Sequence, residues 1–146
     1  PELYKKLYAD TWRAVHGSLE GFDGEIYLAA ARRHFAACPE AILKAIKNDE
    51  VIGVTELDPK RGEDECSGWI SLCYVVGSER RHLLGVQLIG HAVSVFRRMG
   101  RRKLRVCVYE GNAGAIEFYK GADFTVVGET PGVCGRLLIM EKDLER

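Results

Sequence analysis

The sequence predicts a mixed α/β domain whose central sheet is mostly antiparallel and is flanked by helices. Strand-like runs rich in β-branched and aromatic residues, WISLCYVV (69–76) and KLRVCVY (103–109), alternate with segments of helical period. Hairpin-like pieces stand towards both ends of that alternation. The chain has 146 residues, 47% of them hydrophobic and 29% charged, which suits one core and is too little for two. Residues 1–146 are therefore expected to form a single domain.

Taken in order, residues 3–16 read as an amphipathic helix with Leu3, Leu7, Ala14 and Val15 among its apolar positions. The Gly-rich joint GSLEGFDG follows, then a second helix over 25–37 closed by Pro39. AILKAIKNDEVIGVTEL changes to an alternating pattern and turns at Asn48-Asp49, a hairpin signal. PKRGEDECSG is a polar loop, and WISLCYVV is the next strand. Over 82–99, Leu84, Leu88, Ala92 and Phe96 share one helical stripe, flanked by Ile89 and Val93. Gly100 is its stop, and Arg97 and Arg98 suit the negative end of the helix dipole. KLRVCVY is a strand, 112–121 a short helix, and FTVV (124–127) and GRLLIMEKDL (135–144) are closing strands. No fixed-period repeat or low-complexity tract interrupts this order.

Several function classes recede on composition alone. The formal net charge is zero, which argues against a general nucleic-acid binder. The five cysteines, at 38, 66, 73, 107 and 134, are odd in number and show no CxxC spacing. They read as reduced, mostly buried thiols of a cytoplasmic protein and not as a disulfide frame or a metal site. No apolar run approaches the roughly 20 residues of a membrane span, and no signal peptide is visible.

One stretch carries chemistry. In ERRHLLGVQLIGHA (79–92), Arg80, Arg81 and His82 crowd the start of a helix, where the macrodipole and the free N–H groups are already positive. Preceded by a strand and by Gly77 and Ser78, that junction suits an anion cradle, especially for pyrophosphate. Cations that only snorkel into solvent are the other reading of the same residues. No Gly-Lys-Ser/Thr follows as in a P-loop, and no dinucleotide fingerprint is present.

Together, two blocks resemble the GNAT superfamily of acetyl-CoA-dependent N-acetyltransferases. YVVGSERRHLLGVQL (74–88) is similar to its acyl-CoA-binding pattern R/Q-x-x-G-x-G/A, with Arg80 in the Arg/Gln place and Gly85 in the last Gly/Ala place. Leu83 stands where the first glycine is usual; leucine can still offer its N–H there provided that φ stays negative. NAGAIEFYKGADF (112–124) resembles the block N-x-x-A-x-x-F/L-Y-x-x-x-G-F, with Asp123 replacing the glycine. More loosely, DTWRAVHGSLEG is similar to the helix–loop–helix that borders the acceptor pocket in many members.

The resemblance implies an enzyme, an acyltransferase moving acetyl from acetyl-CoA to a primary amine by direct attack in a ternary complex. No metal is implied. The acceptor is a small-molecule amine or an amine of a protein or peptide, and neither nucleic acid nor membrane is involved. The alternative from another class is a non-catalytic acyl-CoA-binding or regulatory domain. Cofactor contacts are expected from Tyr74, Val75 and Val76 at the strand end, where backbone N–H groups would polarise the thioester carbonyl. They are expected also from Arg80, Arg81, His82, Leu83, Leu84, Gly85 and Val86 at the helix start, and from Asn112 on the pantetheine arm. Asn112 is equally suited to cap its helix.

Tyr119 is the expected general acid for the thiolate leaving group, because a phenol of pKa about 10 is protonated at neutral pH. It lies seven residues after Asn112, near two helical turns, so both can face one side. Its other reading is a core tyrosine packed with Ala115 and Ile116. Glu56 is the expected general base, beside the reading of an exposed strand-end carboxylate; Glu110 and His16 are runners-up. Family members usually begin with a strand before the first helix, whereas a helix starts almost at once here. Either that strand is lost upstream of Pro1 or the domain begins differently, and the lack of an initiating methionine favours loss. A lost strand would leave a sheet edge open to another chain, which allows a homodimer.

Overall fold

Asn48 and Asp49 take left-handed backbone angles, φ 51° and 64°, as both centre residues of a type I′ hairpin turn must. They join β1 (Ile42–Lys47) to β2 (Glu50–Asp58) as expected. The computed structural model describes residues 2–16, 21–77, 83–132 and 135–145, with the side chains of 14–16 excepted. Two helices precede the hairpin, α1 (Glu2–His16) and α2 (Gly24–Ala37). After it come β3 (Ser67–Val75), α3 (Leu84–Arg98), β4 (Lys103–Tyr109), α4 (Ala113–Gly121), β5 (Thr125–Pro131) and β6 (Arg136–Asp143). Among the described residues no strand precedes α1.

The six strands form one sheet in the order β1-β2-β3-β4-β6-β5, antiparallel at every pair except β3–β4. Residues 67 and 68, expected in the polar loop, belong to β3: Ser67 registers with Lys103 and Gly68 with Leu104. Arg101 reinforces that end, its buried guanidinium donating to the carbonyl oxygens of Ser67 at 2.7 Å and Pro59 at 2.6 Å. Tertiary pairing has overridden a weak local strand signal. β5 likewise runs to Pro131, beyond the expected 127.

Each face of the sheet has its own core. Tyr4, Leu7 and Tyr8 of α1 and Leu28 and Ala31 of α2 pack on Val54 and Leu72. Leu3, counted among the apolar positions of α1, is instead 41% exposed. On the opposite face Ile89, Ala92, Val93 and Phe96 of α3 meet Leu57, Ile70, Leu104 and Val106, the stripe that the period of α3 predicts. Gly68 lets α3 approach: a Cβ there would lie 2.4 Å from the Phe96 ring.

Both α3 and α4 end in the same motif. Beyond α3, Gly100 (φ 78°) donates to Arg97 O at 3.0 Å and Arg101 N donates to Phe96 O at 2.9 Å. Beyond α4, Asp123 (φ 71°) donates to Lys120 O and Phe124 N donates to Tyr119 O, both at 3.0 Å. These are Schellman closures, with the left-handed residue just past the helix. The fold thus demands at Asp123 the backbone that a glycine supplies most easily, and aspartate adopts it.

Candidate active site

β3 and β4 pair only from Ser67↔Lys103 to Ile70↔Val106, although β3 continues to Val75 and β4 to Tyr109. At the next residue β3 also bulges. Its partners in β2 step from Ile70↔Leu57 to Leu72↔Glu56, which leaves Ser71 as an extra residue. The sheet therefore opens between 71–75 and 107–109. Val76 N donates to Ile52 O at 2.9 Å, so this amide is held within the sheet. That corrects the expectation that it would polarise a carbonyl. Alternation along an antiparallel pair turns the amides of Cys73 and Val75, in place of Val76, towards the side that β4 has left.

α3 starts at this opening. Leu83 is its N-cap, with φ 65° and ψ 3°, and no described side chain caps the first turn. The first bond inside the helix is Gln87 N to Leu83 O, so the N–H groups of Leu84, Gly85 and Val86 find no partner within it. The condition set for Leu83 to offer its own N–H, a negative φ, is not met: leucine occupies the left-handed region where the related pattern has glycine. The backbone of the cradle is kept and the leucine is strained, by about 1–2 kcal/mol on steric grounds. Replacing Leu83 by glycine is expected to raise stability by about 1 kcal/mol net of the added chain entropy, read as a higher urea midpoint at unchanged slope. A lower midpoint would show that the Leu83 side chain packs productively.

Gly85 is required by packing as well. A Cβ there would sit 2.9 Å from two ring carbons of Phe118 on α4. Leu84 is buried, whereas Leu83 and Val86 are exposed at 71% and 55%. Two apolar side chains therefore flank the uncapped amides. Tyr74, Val75 and Val76 are half-buried. Arg80, Arg81 and His82 lie outside the described residues, as does the side chain of His16.

Asn112 is exposed, and its Oδ1 accepts from Ala115 N at 3.1 Å as the N-cap of α4. Tyr119 is buried in the core, so the two do not share a surface. Phe118 and Phe124 hold its ring, each at 5.2 Å between centroids and close to perpendicular. The Phe124 contact is the apolar clasp that accompanies a Schellman closure. The Tyr119 hydroxyl meets the Cys73 thiol of β3, at the opening. Burial, and then Cys73, raise the hydroxyl well above its ordinary value, so it stays protonated.

Burial pushes the Cys73 thiol up to about 11 from an ordinary 9.0, with Tyr119 partly opposing. The folded thiol keeps its proton to about pH 11, while the unfolded one loses it near 9. Stability is therefore full below pH 9 and falls as the pH rises towards 11. For this one group the loss is roughly 2–3 kcal/mol. Thermal melts from pH 8 to 11 should show the decline, and Cys73→Ala should make it shallower; an unchanged slope would contradict it. Cys38, Cys73 and Cys107 are half-buried and Cys66 is exposed, all four free; Cys134 lies outside the described residues.

Glu56 is neither exposed nor at a strand end. Its carboxylate is wholly buried on the α1–α2 face. Tyr8 Oη donates to Oε1, and His34 Nδ1 lies 2.5 Å from Oε2. His34 Nε2 is 3.4 Å from Asp58 Oδ2, nearer the surface. Burial first, then the Glu56 carboxylate, raise the Tyr4 and Tyr8 hydroxyls far above their ordinary range. Glu110 is exposed and accepts from Arg136 Nε at 3.0 Å.

On the same face the opening widens into a cleft of about 520 Å³. Tyr8 and Trp12 of α1, Tyr27 of α2, Leu72 of β3, and Cys107 and Tyr109 of β4 are among its walls. The split sheet thus separates a strand-and-helix-start cradle from an aromatic cleft, with a protonated phenol at the join. Among the described residues no group of three or more His, Cys, Asp or Glu is placed to hold a metal ion.

Residues 4–124 match the model of the Acetyltransferase (GNAT) family. The chain belongs to this family. Solved structures agree in fold. A ribosomal-protein-alanine N-acetyltransferase from Brucella melitensis is 19% identical, with 97% of this chain and 93% of that one covered and a TM-score of 0.75. The PaiA N-acetyltransferase of Thermoplasma acidophilum, in complex with coenzyme A, is 20% identical over 97% and 89%, with a TM-score of 0.71. An aminoglycoside 6′-N-acetyltransferase complexed with coenzyme A is 17% identical over 98% and 89%, with a TM-score of 0.71. A comparison with curated proteins gives no match.

In this GNAT domain the structure gathers Tyr74, Val75, Leu83, Leu84, Gly85, Val86 and Tyr119 around the opening, and sets Glu56 behind the wall of the cleft. Sequence reasoning missed Cys73, Tyr8 and His34. The aliphatic run around Cys73 disguised it as core. Tyr8 and His34 stand 48 and 22 residues from Glu56, and no local pattern signals contacts at that range.

Proposed function

We propose that the protein transfers an acetyl group from acetyl-CoA to a primary amine by direct attack of the amine on the thioester. The observation that carries this reading is the parting of β3 and β4 between the uncapped start of α3 and the aromatic cleft. Neighbours of the same fold were solved with coenzyme A bound. Acetyl-CoA supplies the activated acetyl group. The N–H groups of 84–86 receive its pyrophosphate, with Arg80, Arg81 and His82 as counter-charges. Leu83 and Val86 cover apolar parts of the ligand. Asn112, its Oδ1 engaged as the cap, offers its Nδ2 to the pantetheine arm, and the gap-facing edge of β3 near Tyr74 and Val75 holds the acyl end.

Tyr119 then protonates the departing thiolate. Cys73 stays a thiol at neutral pH, which supports direct attack over an acyl-cysteine route. Glu56 is the general base. Since it does not line the cleft, the proton passes through Tyr8, which lines the cleft and donates to Glu56. The Tyr8 hydroxyl takes the proton of the ammonium as it gives its own to the carboxylate, so no tyrosinate forms.

Isothermal titration with acetyl-CoA and a free-thiol assay over an amine panel test the proposal. Saturable binding, about ten-fold or more weaker in Arg80→Glu, and thiol release with at least one amine are expected. Binding without thiol release from any amine would favour the acyl-CoA-binding domain, and no binding would remove both readings.

A further inference from the structure

We infer that the acceptor is a primary amine carried on an aromatic body, an arylalkylamine and not a polyamine, aminoglycoside or charged peptide tail. This rests on the acetyl-transfer reading and adds to it what the cleft recognises. Four of the described walls are aromatic: Tyr8, Trp12, Tyr27 and Tyr109. The rings on α1 and α2 are held by one another. Tyr8 stacks on Tyr27 at 4.7 Å, Trp12 meets Tyr27 edge-on at 6.2 Å, and Phe22 stacks on Tyr27 at 5.7 Å. The remaining described walls are apolar side chains, small hydroxyls, a thiol and glycine, and none is Asp, Glu, Lys or Arg.

That lining discriminates by charge. One ammonium is accommodated, because Tyr8 relays to Glu56 directly behind it and the ring faces attract a cation. A second ammonium inside the cleft would find no carboxylate among the described walls to meet it. In the adjoining cleft the carboxylates Glu110 and Glu129 share the single guanidinium of Arg136, at 3.0 Å and 2.7 Å. A described cation, Arg61, meets the Cys107 thiol of the wall without itself lining the cleft. An aromatic body gains apolar burial and edge-to-face contacts against Trp12 and Tyr27. The volume, about 520 Å³, admits a ring and a short alkylamine.

The test compares kcat/KM at saturating acetyl-CoA for 2-phenylethylamine and tryptamine with spermidine, kanamycin and an alanyl peptide. The arylalkylamines are expected to lead by about 100-fold. Equal or better turnover of spermidine, kanamycin or the peptide overturns the inference and leaves acetyl transfer standing. If no amine releases thiol, the transfer reading fails, and fluorescence decides the cleft on its own. Supporting the inference, 2-phenylethylamine should quench tryptophan emission saturably in the wild type and not in Trp12→Phe, while spermidine should give no saturable quench. Absence of that quench, or its persistence in Trp12→Phe, overturns it.

Discussion

Tyr119→Phe is expected to lower kcat by about 10²–10⁴-fold, the usual worth of a positioned general acid, with acetyl-CoA affinity changed no more than about two-fold. The variant is clean because packing holds the ring. Phe118 and Phe124 lie against it at 5.2 Å, and Phe124 is anchored by its own N–H to Tyr119 O. Phenylalanine keeps all of these contacts. It loses only the hydroxyl that meets Cys73, worth about 1 kcal/mol of stability. A melting temperature close to wild type with a collapsed kcat is the signature of a proton donor. A kcat within about three-fold of wild type would make Tyr119 a core tyrosine whose hydroxyl is merely satisfied.

Gly68→Ala is expected to destabilise the fold by about 3 kcal/mol, at the upper end for overpacking, and to lower the melting temperature by about 10 °C. A methyl there would lie 2.4–2.6 Å from three atoms of the Phe96 ring. The ring cannot swing aside, since Phe96 is fully enclosed and the Arg101 guanidinium lies 5.6 Å from its centroid. Nor can the backbone withdraw, because Gly68 is registered with Leu104 on β4. Phe96→Leu added to Gly68→Ala should restore part of the loss; calorimetry on the single and double variants decides. A single variant melting within about 2 °C of wild type would mean that α3 can lift from the sheet at little cost.

The parts legible in the sequence are those governed by neighbours in the chain. The two-residue turn at Asn48-Asp49, the apolar stripe of α3, the Gly100 stop and the Asn112 cap all follow from rules acting over a few residues. What escaped depends on distance. Glu56 reads as a strand-end carboxylate until α1 and α2 fold Tyr8 and His34 onto it. Tyr119 and Asn112 share a helix and a near-integral number of turns, yet one closes the core and the other faces solvent. Helical period alone does not say which face the sheet will take. Leu83 and Asp123 show a third limit. Leucine does not announce the left-handed backbone that it takes at the start of α3, and at Asp123 it is the helix closure that imposes it.

Because β3 and β4 share four register pairs, all at one end and tied there by Arg101, the sheet behaves as two three-stranded leaves hinged at their base. Changing the aperture at the far end requires twist about the hinge, since among the described residues β3 and β4 share no register pair beyond Ile70↔Val106. Compliance is concentrated at the opening where the proposed reaction would bring its two reactants together, and the leaves themselves stay stiff. Such a sheet can admit reactants of different thickness at almost constant cost, which lets the side chains around the gap, and not the backbone, decide what reacts.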